Sequence, residues 1–136
     1  MFRQMKIADP DVSNWDTSNI TTLQDMFHEA KDANPDVRNW DVSNVTNMIL
    51  TFFVTSFDRD VSNWDVSKVT KMDNVFNGSQ LSIENLTACY EKWSLLNLQN
   101  NVSFSAGTIK YNSSGQVGRD ILINTYNWTI TDGGQV

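Results

Sequence analysis

One phrase occurs three times in this chain. Asp11-Val-Ser-Asn-Trp-Asp-Thr-Ser-Asn-Ile-Thr21 returns as Asp36-Val-Arg-Asn-Trp-Asp-Val-Ser-Asn-Val-Thr46, and again as Asp60-Val-Ser-Asn-Trp-Asp-Val-Ser-Lys-Val-Thr70, at spacings of 25 and then 24 residues. A period of this length marks stacked supersecondary units, none of which can bury its apolar face alone. Binding or scaffolding suits such an array better than catalysis does.

Read as columns, the copies share apolar positions at Val12/Val37/Val61, Trp15/Trp40/Trp64, Ile20/Val45/Val69, Leu23/Met48/Met72 and Phe27/Phe52/Phe76. Val45, Met48 and Phe52 stand at i, i+3 and i+7, the spacing of one helix face. Ser18, Ser43 and Ser67 precede that stripe, where a hydroxyl can cap free N–H groups. Gly78 suits the end of the third helix. Trp40-Asp-Val42 alternates in and out, as a strand does. The expectation is an α/β repeat solenoid of leucine-rich-repeat type, each unit a short parallel strand and a short helix, with about 3.5 repeats over residues 1–80. Residues 81–136 should form a non-repetitive α+β cap, packed as one continuous domain with the array.

Within that cap, Ile83, Leu86, Tyr90, Trp93 and Leu96 form the stripe of an amphipathic helix. Val117, Ile121 and Leu122 suit a second one. Val102-Ser-Phe104 and Trp128-Thr-Ile130 alternate as strands, with turns at Ala106-Gly107 and Ser113-Ser-Gly115. At the other end, Met1-Phe2 aligns with Met26-Phe27, so the chain opens halfway through a repeat. That predicts a covered Phe2 end, joined to a parent chain, another copy or a partner.

Composition narrows the function. Of 136 residues, 40% are hydrophobic, enough for a real core, and the net charge is −6. Twelve acids and seven bases fall in residues 1–80, against four and three after them. Phosphate binding needs clustered Lys and Arg, so nucleic acid is not expected as a partner. Cys89 is the only cysteine, which leaves no internal disulfide and no cysteine zinc framework. Its place beside Tyr90 on the helix stripe predicts a buried, inert thiol. No apolar run reaches membrane-spanning length, and Met1-Phe-Arg-Gln-Met-Lys has no signal-peptide core.

The string Asn39-Trp-Asp-Val-Ser-Asn-Val-Thr-Asn-Met48 resembles the BspA-like surface-protein repeat, also described as the DUF285 or mycoplasma lipoprotein-associated repeat. All three copies and the leading half copy carry it. Leu81-Ser-Ile-Glu-Asn85, Val102-Ser-Phe-Ser-Ala-Gly107, Tyr111 and Trp128-Thr-Ile-Thr-Asp-Gly-Gly134 are similar to the segment that closes such arrays. The resemblance implies a cell-surface, secreted or virion-surface protein associated with adhesion, and brings no catalytic residues. Thr51, Ala33 and Lys68 depart from the pattern, and the second repeat carries an extra aromatic, Phe53.

Candidate site residues follow from the columns. The acidic ladder Asp16/Asp41/Asp65, beside Asp11/Asp36/Asp60, brings like charges to about 4.8 Å in a stack. Ca²⁺ would relieve that repulsion, and so would turn N–H groups donated to each carboxylate. Asn14/Asn39/Asn63 suit either a ligand-facing row or a ladder that satisfies loop backbone. The Trp ladder reads as core before it reads as a sugar platform. His28, whose column holds Arg3, Phe53 and Asn77, is expected to be exposed. Seven Asn-x-Ser/Thr sequons, at Asn19, Asn44, Asn77, Asn85, Asn101, Asn112 and Asn127, follow from an Asn-rich composition. No nucleophile–base constellation, phosphate loop or metal cluster is visible, so neither an enzyme nor a cofactor is expected. The functional expectation is a surface recognition module for a protein or glycan, bound through the repeat face. The alternative is a structural spacer or terminal element of a fibre. Recognition predicts a patch where the repeats differ, in the His28, Phe53 and Asn77 columns; a spacer predicts uniformly polar faces.

Overall fold

A computed structural model describes residues 9–136; the half copy at Met1-Phe2, Arg3 and the contact expected at the Phe2 end lie outside the described residues. The repeats lie side by side, joined by a parallel backbone ladder. The amides of Leu23, Asp25, Phe27 and Glu29 donate to the carbonyls of Asn47, Ile49, Thr51 and Phe53 at 2.8–3.0 Å. Met48, Leu50, Phe52 and Val54 donate in turn to Lys71, Asp73, Val75 and Asn77 at 2.8–3.1 Å.

This ladder occupies the half of the repeat that the apolar spacing assigned to a helix, and among the described residues of the array no helix forms. Intervening amides close tight turns instead. Met26 donates to the Leu23 carbonyl, Ala30 to Phe27, Thr51 to Met48 and Ser79 to Phe76, each three residues back. The third residue of each four-residue turn has positive φ: Asp25 and Glu29 at 58°, Leu50 at 56°, Val54 and Asn74 at 54°, Gly78 at 76°. These are type II turns in tandem. Gly78 therefore serves a turn and not a helix end. Two successive four-residue turns return the side chain to the same side every fourth residue, as a helix does. Leu23/Phe27, Met48/Phe52 and Met72/Phe76 point into the core by that route.

The half expected to be a strand is also built of turns. Trp40 and Val42 are buried and Asp41 is exposed, as the alternation required. Yet the Trp40 amide donates to Val37 and the Val45 amide to Val42, so the chain bends there and forms no strand. Ser18, Ser43 and Ser67 cap nothing; each donates its hydroxyl to the Asp two residues before it.

Two further ladders tie the stack together. The Trp40 and Trp64 indoles donate to the Val12 and Val37 carbonyls of the preceding repeat at 2.9 and 3.0 Å. An Asx column runs along the turn before each phrase. Asp9 accepts from the Asn34 amide, Asn34 from the Asp58 amide and Asp58 from the Ser82 amide, at 2.9–3.0 Å.

Beyond Gln80 the sequence stops repeating but the chain path does not. Helix α1, Ile83–Trp93, begins at the Ser82 cap and buries Leu86, Cys89, Tyr90 and Trp93. It leads into strand β1, Ser103–Ser105, which takes the next place in the ladder through the Met72–Phe104 bridge and the Phe76 amide on the Ser105 carbonyl. Helix α2, Gln116–Asn124, follows a 3₁₀ turn at Ser113–Gly115 and leads into β2, Thr129–Thr131, parallel to β1. Val117 does not belong to the buried stripe of α2, since it is 71% exposed; burial falls on Gly118 and Leu122. Gly118 lies so close to the Tyr90 carbonyl of α1 that no Cβ fits there.

One apolar cluster runs from Val12 to Trp128. At its centre Phe27, Phe52 and Phe76 stack with ring centroids 5.6 and 5.8 Å apart, and Phe104 meets Phe76 edge-on at 6.0 Å. Among the described residues no helix is long and apolar enough to cross a membrane.

Candidate functional site

The aspartate columns are exposed apart from the partly buried Asp36, and each acid closes a turn on itself. Asp16, Asp41 and Asp65 each accept the amide and the hydroxyl of the Ser two residues on, at 3.0–3.1 Å and 2.5–2.7 Å. Asp11 and Asp60 do the same with Ser13 and Ser62. Asp36 takes the Arg38 guanidinium on both oxygens at 2.9 Å. The Ser hydroxyl, then its amide, holds the Asp11, Asp16 and Asp41 carboxyls below the ordinary carboxylate range. Arg38 brings Asp36 down to about 2.

The repulsion expected between stacked acids exists, since Asp41 pushes Asp16 upward and Asp36 pushes Asp11 upward. Basic side chains relieve it in later repeats. Lys68 favours the ionised Asp41 while its ammonium donates to Asn44, and Arg38 and Lys92 favour the ionised Asp60. Among the described residues no three His, Cys, Asp or Glu side chains gather as a metal site.

A group whose folded pKa is depressed contributes stability above its unfolded pKa, about 3.9 for Asp, and loses it as pH falls through the folded value. The array should therefore keep a constant urea midpoint at neutral pH and lose it steadily from about pH 4 downward. Asp36→Asn should flatten the last part of that fall, toward the value near 2. A wild-type midpoint that holds unchanged down to that pH would contradict the carboxylate turns as stabilising elements.

Asn14, Asn39 and Asn63 are exposed on the same outer stretch as the acids. The ladder that satisfies loop backbone forms in the Asp9/Asn34/Asp58 column instead. Asn63 accepts from Lys92 at 3.1 Å. Trp40 and Trp64 are core, while Trp15, stacked on Trp40 at 6.1 Å, is 46% exposed. Cys89 is fully buried, and burial pushes its thiol far up.

The outer side of the parallel ladder has a different character. His28 is not exposed: its side chain is 11% accessible. It is held by Asp25 Oδ1 at 3.0 Å from Nδ1 and meets Phe53 edge-on, with centroids 5.2 Å apart. Along this face each column changes chemistry from repeat to repeat. Gln24, Ile49 and Asp73 share one column, and Asp25, Leu50 and Asn74 the next. His28, Phe53 and Asn77 share the third, and Glu29, Val54 and Gly78 the fourth. The middle repeat thus sets four half-buried apolar side chains, Ile49, Leu50, Phe53 and Val54, between two polar neighbours. Of these only Phe53 was singled out from sequence. The signal for the rest was present, as apolar residues in columns that are otherwise polar.

Leu50 and Val54 also occupy the left-handed region, where the third repeat uses Asn74 and Gly78. The left-handed conformation costs an L-residue other than Gly, Asn or Asp about 1–2 kcal/mol, and a β-branched residue there is an outlier. Leu50→Asn should raise stability by about 0.5–1 kcal/mol, the strain relieved exceeding the half-buried surface lost. A lower thermal midpoint for this variant would show that the burial of Leu50 outweighs its backbone strain.

A separate cluster closes the C-terminal end. The Asp132 side chain is 3% exposed and accepts from Arg119 Nε at 2.8 Å, Tyr90 Oη at 2.7 Å and the Gly134 amide at 3.0 Å. Arg119 also lies over the Tyr111 ring, 5.3 Å from its centroid. Despite burial, these donors keep Asp132 below the ordinary carboxylate range, and burial pushes Tyr90 far up. Its acceptors are taken up within the fold, which makes it a clasp for the tail. The described surface has no pocket.

Residues 1–116 match a family described as Mycoplasma protein of unknown function, DUF285. No curated protein and no solved structure matches the chain.

Proposed function

Since the chain belongs to the DUF285 family, whose function is unknown, we propose its role from its own geometry: a non-catalytic recognition module, displayed on a cell or virion surface, that binds a macromolecule through the outer face of its ladder. The array acts as a solenoid scaffold, and the two helix–strand units close it. One observation carries this reading. In a stack whose outer Asp, Asn and Ser columns repeat almost unchanged, the face around Phe53 changes chemistry at every step and becomes apolar in its middle repeat. A structural column is held to one residue type by its neighbours above and below, whereas a recognising surface needs its positions to differ. The lack of a pocket among the described residues favours a broad partner over a small ligand.

The experiment is an array of surface glycans and surface proteins probed with the whole chain and with two variants. Phe53→Ser should abolish binding of any ligand found, while Asn39→Ser, on the repeated stretch, should leave it intact. The opposite pattern would move the site to the Asn and Asp columns. One observation favours a second reading, a rigid spacer: a single core continues from Val12 to Trp128 without a break. A spacer would leave both variants indistinguishable from the parent on every ligand.

A further inference from the structure

Resting on that reading, we propose that the occupant of the Phe53 face is a polypeptide segment with an apolar side chain flanked by Lys or Arg, and not a glycan. The chemistry of the face selects between them. Its centre, Ile49, Leu50, Phe53 and Val54, is mostly aliphatic and offers no side-chain hydrogen-bond donor or acceptor. Sugar hydroxyls set against it would lose water without replacement, whereas a Leu or Phe anchor would gain burial. The one aromatic ring, Phe53, is held edge-on by His28 and is half-buried, so it presents no broad platform for a pyranose.

The rim carries the second half of the argument. Asp25 and Glu29 flank the apolar centre in the first repeat, and Asp73 flanks it in the third. Among the described residues of the four columns His28 is the only basic side chain, in a chain of net charge −6. An apolar centre within an acidic rim complements a cationic, apolar-centred segment, with burial supplying affinity and the rim supplying orientation and encounter rate. Strand addition on this face is not available, because the ladder's own amides and carbonyls are already bonded between repeats. Recognition therefore runs through side chains. The left-handed Leu50 and Val54 fit the same role: strain retained at apolar positions, where the next repeat uses Asn and Gly, marks a place selected for its surface.

The test uses the whole chain and three synthetic peptides that share a Leu-Phe-Leu centre and differ only in flanks of Lys, Ser or Glu. Affinities are read by fluorescence anisotropy at low and at moderate salt. The Lys-flanked peptide should bind at least about tenfold more tightly than the Glu-flanked one, and added salt should narrow the difference. Leu50→Asn, which suits the turn and remains folded, should weaken binding about tenfold. Asp25→Asn with Asp73→Asn should reduce the preference for Lys over Glu flanks. Equal affinity for all three peptides, or a preference for Glu flanks, would overturn the cationic-segment proposal. A glycan ligand that is lost in Phe53→Ser would also overturn it while leaving the recognition face standing. A ligand unaffected by both Leu50→Asn and Phe53→Ser would remove the face itself.

Discussion

Replacing Phe52 with alanine is expected to lower the stability of the whole stack by about 3–5 kcal/mol. Phe52 is fully buried in the middle repeat, where its ring stacks on Phe27 at 5.6 Å, Phe57 at 3.8 Å and Phe76 at 5.8 Å. It also tilts against Trp64 at 6.3 Å. Truncation would remove a ring that links three repeats at once and leave a void that the four-residue turns on either side cannot close. In an array stabilised by nearest-neighbour interfaces, losing the central one affects both sides. Urea unfolding should show a much lower midpoint, and unfolding of the first repeat should separate from that of the C-terminal segment. A loss below about 1 kcal/mol would mean that the Phe column is not the core of the stack.

The second large effect is expected at the C-terminal clasp. Asp132→Ala removes the acceptor for Arg119, Tyr90 and the Gly134 amide together. Breaking a buried charged pair is severe because the partner is left uncompensated. Arg119 keeps 20% of its side chain accessible, so the expected loss is about 2–4 kcal/mol, below that of a fully enclosed pair. Locally, the tail should open. Tyr111 donates to the Gly134 carbonyl and Val136 to that of Tyr111, and both amides should exchange faster in Asp132→Ala. Amides at Met48–Val54, in the middle of the array, should exchange as in the parent. Unchanged protection at Tyr111 and Val136 would show that backbone pairing holds the tail without the clasp.

Much of this molecule could be read in its sequence, because repetition supplies an internal alignment. The Val, Met and Phe columns are buried where they were expected, as are Trp40 and Trp64 but not Trp15, and α1, α2, β1 and β2 fall close to the patterns that announced them, with Val117 of α2 exposed. The local structure of the repeat was not legible. Met48 and Phe52 lie four residues apart, a spacing that a helix and two tandem turns share. What distinguishes them is the positive φ at Asp25, Leu50 and Asn74. Asp25, Asn74 and Gly78 advertise such a conformation by residue type. Leu50 and Val54 conceal it. The same ambiguity placed the ladder in the wrong half of the repeat, since Trp40-Asp-Val42 alternates in burial while bending through turns.

The candidate site was half visible. The columns of His28, Phe53 and Asn77 stood out by their variation, and they lie on the ladder face. His28 was expected to be open because its column tolerates any residue; packing against Phe53 and its bond to Asp25 enclose it. The acid and Asn columns drew attention by their regularity. The regularity of Asp16, Asp41 and Asp65 is explained by Asp–Ser turns, which need the same pair in every copy.

The most direct measurement is a hydrogen-exchange footprint of the whole chain bound to a ligand drawn from the surface array. Recognition through the ladder face predicts new protection within residues 24–29, 49–54 and 73–78, strongest in the middle segment. Protection confined to residues 14–16, 39–41 and 63–65 would place the ligand on the Asn and Asp columns and contradict it.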